Sequence, residues 1–256
     1  IKTMLQTLLI FLLATLSEAQ AKGRLFSLTQ KVNDLRKLME EDNDMWGRVL
    51  AQSSMSMPDG GCVDEFGALE KLVEASKSSS SPKRIIICEG ADNKFDGPID
   101  MTDANFVMTC EGESACQLDG KGQTSLFIAA DFFTRSSHVA VFENIDFVNG
   151  FATSSGGALA LYGGDTTFTE CAFLGNAASD GGALRVVDGK LLFSNCLFEG
   201  NSSEDVGGAM KVEQSDGGTL AMTIRDTKFV GNIGGTEVRN GLKSLHVRYV
   251  YLFRTY

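Results

Sequence analysis

Proline is nearly missing from this chain, with 3 residues in 256. Central β-strands exclude proline, so its scarcity leaves extended strand architectures open. Histidine is equally rare: His138 and His246 are the two, and neither lies in a recognisable catalytic motif. The single tryptophan, Trp46, precedes the repeated part of the chain, so no ring platform for stacking sugars is evident there. No Cys-x-x-Cys pair occurs and the histidines lie far from the cysteines, which argues against a zinc site. Positive charge is in deficit. Lys and Arg number 23 against 33 Asp and Glu, giving a net charge of −10. Nucleic-acid binding needs a basic footprint that this balance denies. The same balance disfavours an electrostatic hold on anionic lipid or a polyanionic pectin. An acidic, soluble surface is the plain reading. No cofactor is expected.

What the chain has instead is a phrase that recurs. It reads Phe-x-x-Cys-x-Phe-x-Gly-Asn, followed by Gly-Gly-Ala-Leu. FENIDFVNG with GGAL spans 142–159, FTECAFLGN with GGAL spans 168–184, and FSNCLFEGN with GGAM spans 193–210. A partial copy, IRDTKFVGN, spans 224–232. The second Phe falls at 147, 173, 198 and 229, spacings of 26, 25 and 31. The glycine pairs start at 156, 181 and 207. A fixed period in this range marks a repeat architecture. Within each period apolar residues alternate, as Cys171 with Phe173 and Leu184 with Val186, which is strand periodicity. Gly-Asn and Gly-Gly separate the runs and supply turns. Such short strands bury no face alone, but stacked as coils they share one core. Identical residues then lie roughly 4.8 Å apart. A Phe173/Phe198/Phe229 ladder and an Asn176/Asn201/Asn232 ladder follow, the latter pairing side-chain amides between coils.

These motifs resemble the right-handed parallel β-helix proteins of the pectin-lyase-like superfamily. The pairing of Gly-Gly-Ala-Leu with Phe-x-Gly-Asn is similar to the repeats of polymorphic outer membrane proteins and related algal surface proteins. RIIICEG (84–90), FVMTCEG (106–112) and CQLDGKG (116–122) are similar to the first coils of such helices. The expected fold is an all-β solenoid, a right-handed parallel β-helix over 58–234, headed by a capping helix at 62–77. That helix, with Phe66, Leu69, Leu72 and Val73 at helical spacing, would cover the exposed strand edges of the first coil.

The start of the chain reads as an address. Leu5–Leu16 is apolar, and Ala19-Gln20-Ala21 offers small residues for cleavage, so residues 1–21 are expected to be a signal peptide. The run is short for a membrane span. Residues 22–57 are expected to hold an amphipathic helix and a hinge. Leu25, Leu28, Val32, Leu35, Met39, Asp42, Trp46 and Val49 step by three and four. Two readings stand open: a coiled-coil seam that makes a homo-oligomer, or a helix packed on the coils. After Gly235 the repeat dissolves. Residues 235–256 read either as a divergent cap or as a truncated or misread end.

Six cysteines allow 15 pairings. Cys110 and Cys116 enclose a short polar loop and suit a local disulfide. Cys62 and Cys88 flank the capping helix and suit a tie to the first strand. Cys171 and Cys196 share one repeat position and are expected to stack in the core as free thiols. Asn201-Ser202-Ser203 is the one glycosylation sequon. Asp180, Glu204 and Asp205, on adjacent turns, are weak candidates for calcium. Arg185 and Lys211 share an outward column and are candidates to touch an acidic glycan.

The resemblance implies clustered aspartates for a glycosidase, or calcium-binding acids with an arginine for a lyase. No two aspartates are adjacent anywhere in the chain, and no catalytic residue is assigned. The expected function is a secreted, non-catalytic extracellular surface, matrix or adhesion component whose partners are glycans or surface proteins. The alternative is a divergent pectate-lyase-like or polygalacturonase-like enzyme.

Overall fold

The computed structural model describes residues 61–91, 93–129 and 135–234, and by backbone path alone the strand 244–253. The expected signal peptide, the amphipathic segment with its hinge and oligomer seam, and the rest of the tail lie outside the described residues.

A short helix opens the described chain. The expected cap at 62–77 is shorter than the sequence suggested: α1 runs Phe66–Ser76. Its first turn is lost because Cys62 and Val63 are drawn into pairing, with Val63 bridged in parallel to Ile87. Leu69 and Val73 are its buried face. Lys77, just beyond it, is ion-paired to Glu74 and to Asp100.

The remainder is a parallel β-solenoid of about five turns. Its strands, in chain order, are β1 (Lys83–Ile87), β2 (Asn93–Lys94), β3 (Ile99–Asp100), β4 (Asn105–Cys110), β5 (Cys116–Asp119) and β6 (Phe127–Ala129). Then follow β7 (Ser136–Glu143), β8 (Ile145–Val148), β9 (Phe151–Ser155), the long β10 (Leu159–Thr169), β11 (Ala172–Leu174) and β12 (Ala177–Asp180). The last coils hold β13 (Leu184–Val187), β14 (Gly189–Ser194), β15 (Leu197–Glu199), β16 (Ser202–Ser203), β17 (Met210–Glu213) and β18 (Leu220–Val230).

Three parallel faces enclose the core, joined in the later coils by a short fourth ladder of β9, β12 and β16. On the first, Ile85, Met108, Phe142, Phe168, Phe193 and Ile224 stand in one register column. On the second the column is Asn93, Leu118, Phe147, Phe173, Phe198, Phe229. On the third it is Ile99, Phe127, Leu159, Leu184, Met210. The Phe rings stack nearly flat within a column: Phe173 on Phe198 at 4.4 Å, Phe198 on Phe229 at 4.8 Å, Phe168 on Phe193 at 5.1 Å. Between the first two columns they meet edge to face, as Phe168 with Phe173 at 5.2 Å and 73°. Each such contact adds about 0.5–1.5 kcal/mol beyond burial.

The glycine pairs have separate tasks. Gly181 holds φ at +64, a conformation closed to most side chains. Gly182 lies so close to the next coil that a Cβ would collide with the carbonyl oxygen of Gly208. Beyond the last repeat, β19 (Ser244–Phe253) runs antiparallel beside β18, from Ala221↔Phe253 to Val230↔Ser244. Part of the 235–256 tail therefore covers a strand edge that would otherwise be free.

Candidate functional site

The Asn column is a continuous hydrogen-bonded polar structure in the interior. Asn201 Nδ2 donates to Phe173 O at 2.9 Å and to Asn232 Oδ1 at 2.8 Å. Asn201 Oδ1 accepts from Asn176 N and Nδ2 at 3.0 and 2.9 Å. Asn176 Oδ1 in turn accepts from the Gly150 N–H. Asn201 is completely buried with both amide hydrogens committed. Of the two expectations for Asn201, sequon acceptor and ladder member, the structure places it in the ladder, with the Nδ2 that would carry a glycan bonded to Phe173 O and Asn232 Oδ1.

The acids expected to hold calcium are not gathered. Asp180 is paired to Lys211 at 2.7 Å. Glu204 accepts from Ser179 Oγ at 3.1 Å, and Asp205 is exposed at its turn. Among the described residues, one grouping of three potential ligands has its atoms within 4.8 Å: Cys62, Cys88 and Glu111. Its two sulfurs are bonded to each other, so it holds no metal-binding thiolates.

Arg185 and Lys211 do share the outward column on the third face. They are not free to meet a glycan. Arg185 is buried and bound to Glu213 at 2.5 Å, and Lys211 contacts Asp180 and also Glu213 at 3.3 Å. Burial works against the Lys211 charge, but hydrogen bonds to Asp180 and Glu213 outweigh it and hold the amine above the ordinary lysine pKa. Burial likewise opposes the Glu213 charge, and Arg185 and then Lys211 hold the carboxyl below its ordinary range. This four-membered network was missed in the sequence. Its signal was a diagonal: Glu213 registers with Val187, two residues from Arg185, and long side chains reach across such diagonals.

Both expected disulfides are present. Cys62–Cys88 spans Cα atoms 4.8 Å apart and Cys110–Cys116 spans 5.3 Å. Cys171 and Cys196 are free and buried. His138 is enclosed, with Nδ1 2.9 Å from Ser136 Oγ and Nε2 2.9 Å from Thr166 Oγ1. Burial lowers its pKa to about 4, against the weaker pull of Asp165 and Asp103. It is a fully buried core residue, neutral near physiological pH.

The second face carries a shallow, open depression of about 480 Å³ on its outer side. It is lined by Gln117, Val148, Asn149, Leu174, Gly175 and Glu199. Val148, Leu174 and Glu199 are one outward register column. Asn149, Gly175 and Gly200 form the adjoining corner, all at positive φ. Asp146 stands in register with Gln117 at its margin. Burial raises the pKa of Asp146, and burial raises that of Glu143 against the pull of Arg84, with a smaller push from Glu170. Neither acid was picked out in the sequence, since nothing in its spacing separates a half-buried outward carboxylate from a solvated one.

No protein-family model matches the chain, and no curated protein or solved structure is similar to it. Among the described residues no helix is long and apolar enough to cross a membrane.

Proposed function

We propose that this chain is a secreted, non-catalytic β-helix protein, an extracellular surface, matrix or adhesion component that presents a stiff rod. The outer surface carries this reading. Its depression is open and holds one carboxylate, Glu199, beside two aliphatic side chains, two amides and a glycine. Hydrolysis of a glycoside uses two carboxyl groups facing one bond. Of the acids expected to hold calcium, Asp180 is engaged with Lys211, Glu204 accepts from Ser179, and Asp205 stands exposed at its turn. Two disulfides at one end suit an oxidising compartment. The resemblance of the repeats to right-handed pectin-lyase-like helices, and to surface-protein repeats in particular, supports the same assignment. An amphipathic seam at 25–49 would add self-association to the rod.

The partner is an extracellular glycan or surface protein seated on the Val148–Leu174–Glu199 column. Purified protein should be retained by an extracted matrix or cell-surface fraction, and Leu174→Asp should abolish that retention while leaving the circular dichroism unchanged. Equal retention of the variant would remove the depression from the proposal.

The second reading, a polysaccharide-degrading enzyme, is favoured by one observation: Asp146 and Glu143 are carboxyls of raised pKa, as a general acid requires. Under the first reading, polygalacturonate and alginate should yield no unsaturated product and no new reducing ends, with or without calcium. Product that vanishes in Asp146→Asn would make the second reading the correct one.

A further inference from the structure

Cys171 and Cys196 occupy the same place in successive coils. Ala172 registers with Leu197, and the Leu197 N–H donates to Cys171 O at 3.0 Å. Both residues are almost wholly enclosed, at 2% and 3% exposure. Their sequence separation, 25, is one coil. The molecule already bridges this distance elsewhere: Cys62 and Cys88, which flank the capping helix, have Cα atoms 4.8 Å apart and are bonded. Stacked parallel strands lie at the same spacing, well within the range a disulfide spans without moving the backbone. The column offers no competing thiol: Cys116, in register with Ile145 two coils earlier, is bonded to Cys110, and Thr227 Oγ1 stands on the far side, accepting the Cys196 N–H.

We propose that Cys171 and Cys196 are a reserve inter-coil disulfide, a site of oxidation that stays closed while the coils are shut and bonds when they open. The closed state is protected in two ways. Each thiol is turned onto backbone carbonyls, Cys171 onto Thr169 O and Phe142 O, Cys196 onto Phe168 O and Ser194 O. Burial also keeps both protonated: Cys196 is raised to about 11, and Cys171 well above the ordinary thiol value by burial and then by Cys196. The thiolate is the reacting species, so neither attacks a disulfide in the folded rod.

Local opening of the coil removes both protections. One cysteine thiolate then attacks a low-molecular-weight disulfide and expels one thiolate from it, leaving a mixed disulfide. The second cysteine attacks the protein sulfur of that bond and expels the other thiolate. The protein pair loses two electrons and two protons, and the reagent disulfide becomes two thiols. Reclosure then leaves two coils joined by a covalent rung.

The test uses the whole protein with glutathione disulfide as oxidant, at temperatures from ambient to just below unfolding. Iodoacetamide labelling in parallel measures how often the thiols are exposed. At ambient temperature neither reagent should react. Near unfolding, a non-reducing peptide map should show a Cys171–Cys196 link with Cys62–Cys88 and Cys110–Cys116 intact. The linked protein should melt roughly 5–15 °C higher than unoxidised protein, and Cys171→Ala treated alike should show no rise. Labelling without linking, persistent mixed disulfides, exchange with the other four cysteines, or silence in both reagents up to unfolding would each overturn the proposal.

Discussion

The first coils and the later coils stack in the same parallel columns but are held together by different means. From Cys62 to Cys116 the stacked positions are filled by unlike side chains: Ile85 under Met108, Asn93 under Leu118. Asn93 is buried and, among the described residues, neither polar atom of its amide has a partner. This end carries α1 and both disulfides. From Phe142 to Asn232 the Phe147–Phe229 and Asn176–Asn232 columns are filled by like side chains, ring on ring and amide on amide, and the cysteines there are free. Like residues at one spacing satisfy each other's shape and hydrogen bonds. Unlike residues do not, and at that end the chain adds covalent links.

The sharpest way to break this comparison is Phe198→Ala. Phe198 is fully buried between Phe173 and Phe229. Its loss should cost about 3–5 kcal/mol, read by urea unfolding. A cost near that of an exposed residue would mean the ladder is incidental to stability.

Removing the Cys62–Cys88 link by a double alanine replacement should cost roughly 3.5 kcal/mol for a loop of this length. Hydrogen exchange should show the loss of protection concentrated in α1 and β1, with strands from β10 onward unchanged. Uniform loss along the rod would show that the two ends are not independently secured.

A smaller effect separates the regions by pH. His138 is neutral when folded, with its pKa near 4 against about 6.5 unfolded. Between those values the unfolded chain binds a proton that the folded one does not. Stability should be flat above pH 6.5 and fall as pH drops toward 4, by up to roughly 3 kcal/mol from this group. His138→Gln should flatten that slope. An unchanged slope would assign it to carboxylates.

The smallest effect concerns the outer network. Glu213→Gln leaves Arg185 buried with a weaker partner and should cost about 1 kcal/mol, in part recovered by salt. Thermal melts at two ionic strengths measure it.

The sequence reading was most accurate where the chain repeats. The Phe147/Phe173/Phe198/Phe229 column and the Asn column followed directly from the period, because a parallel solenoid converts equal spacing into contact. The Phe142/Phe168/Phe193 column was printed in the same phrase and passed over. The early coils were harder. Phe95, Phe106 and Phe127 belong to the core, but their copies differ too much to align by eye. Surface chemistry was least legible. Arg185 with Lys211 reads as a basic column and Asp180 with Glu204 and Asp205 as an acidic cluster, and only their three-dimensional placement shows Lys211 paired to Asp180 and both bases paired to Glu213. At Asn201 two readings of one residue competed, acceptor and ladder member, and burial decided between them.

The amide column has a direction. Asn176 donates to Asn201, and Asn201 donates to Asn232. Every carboxamide dipole therefore points the same way along the rod, and each one polarises the next. Its members are neither exchangeable nor independent. A folded coil presents its successor with an oriented amide already aimed at the site that the next asparagine must fill. Order laid down at one end can thus be copied forward coil by coil, as a template sets the register of what is added to it.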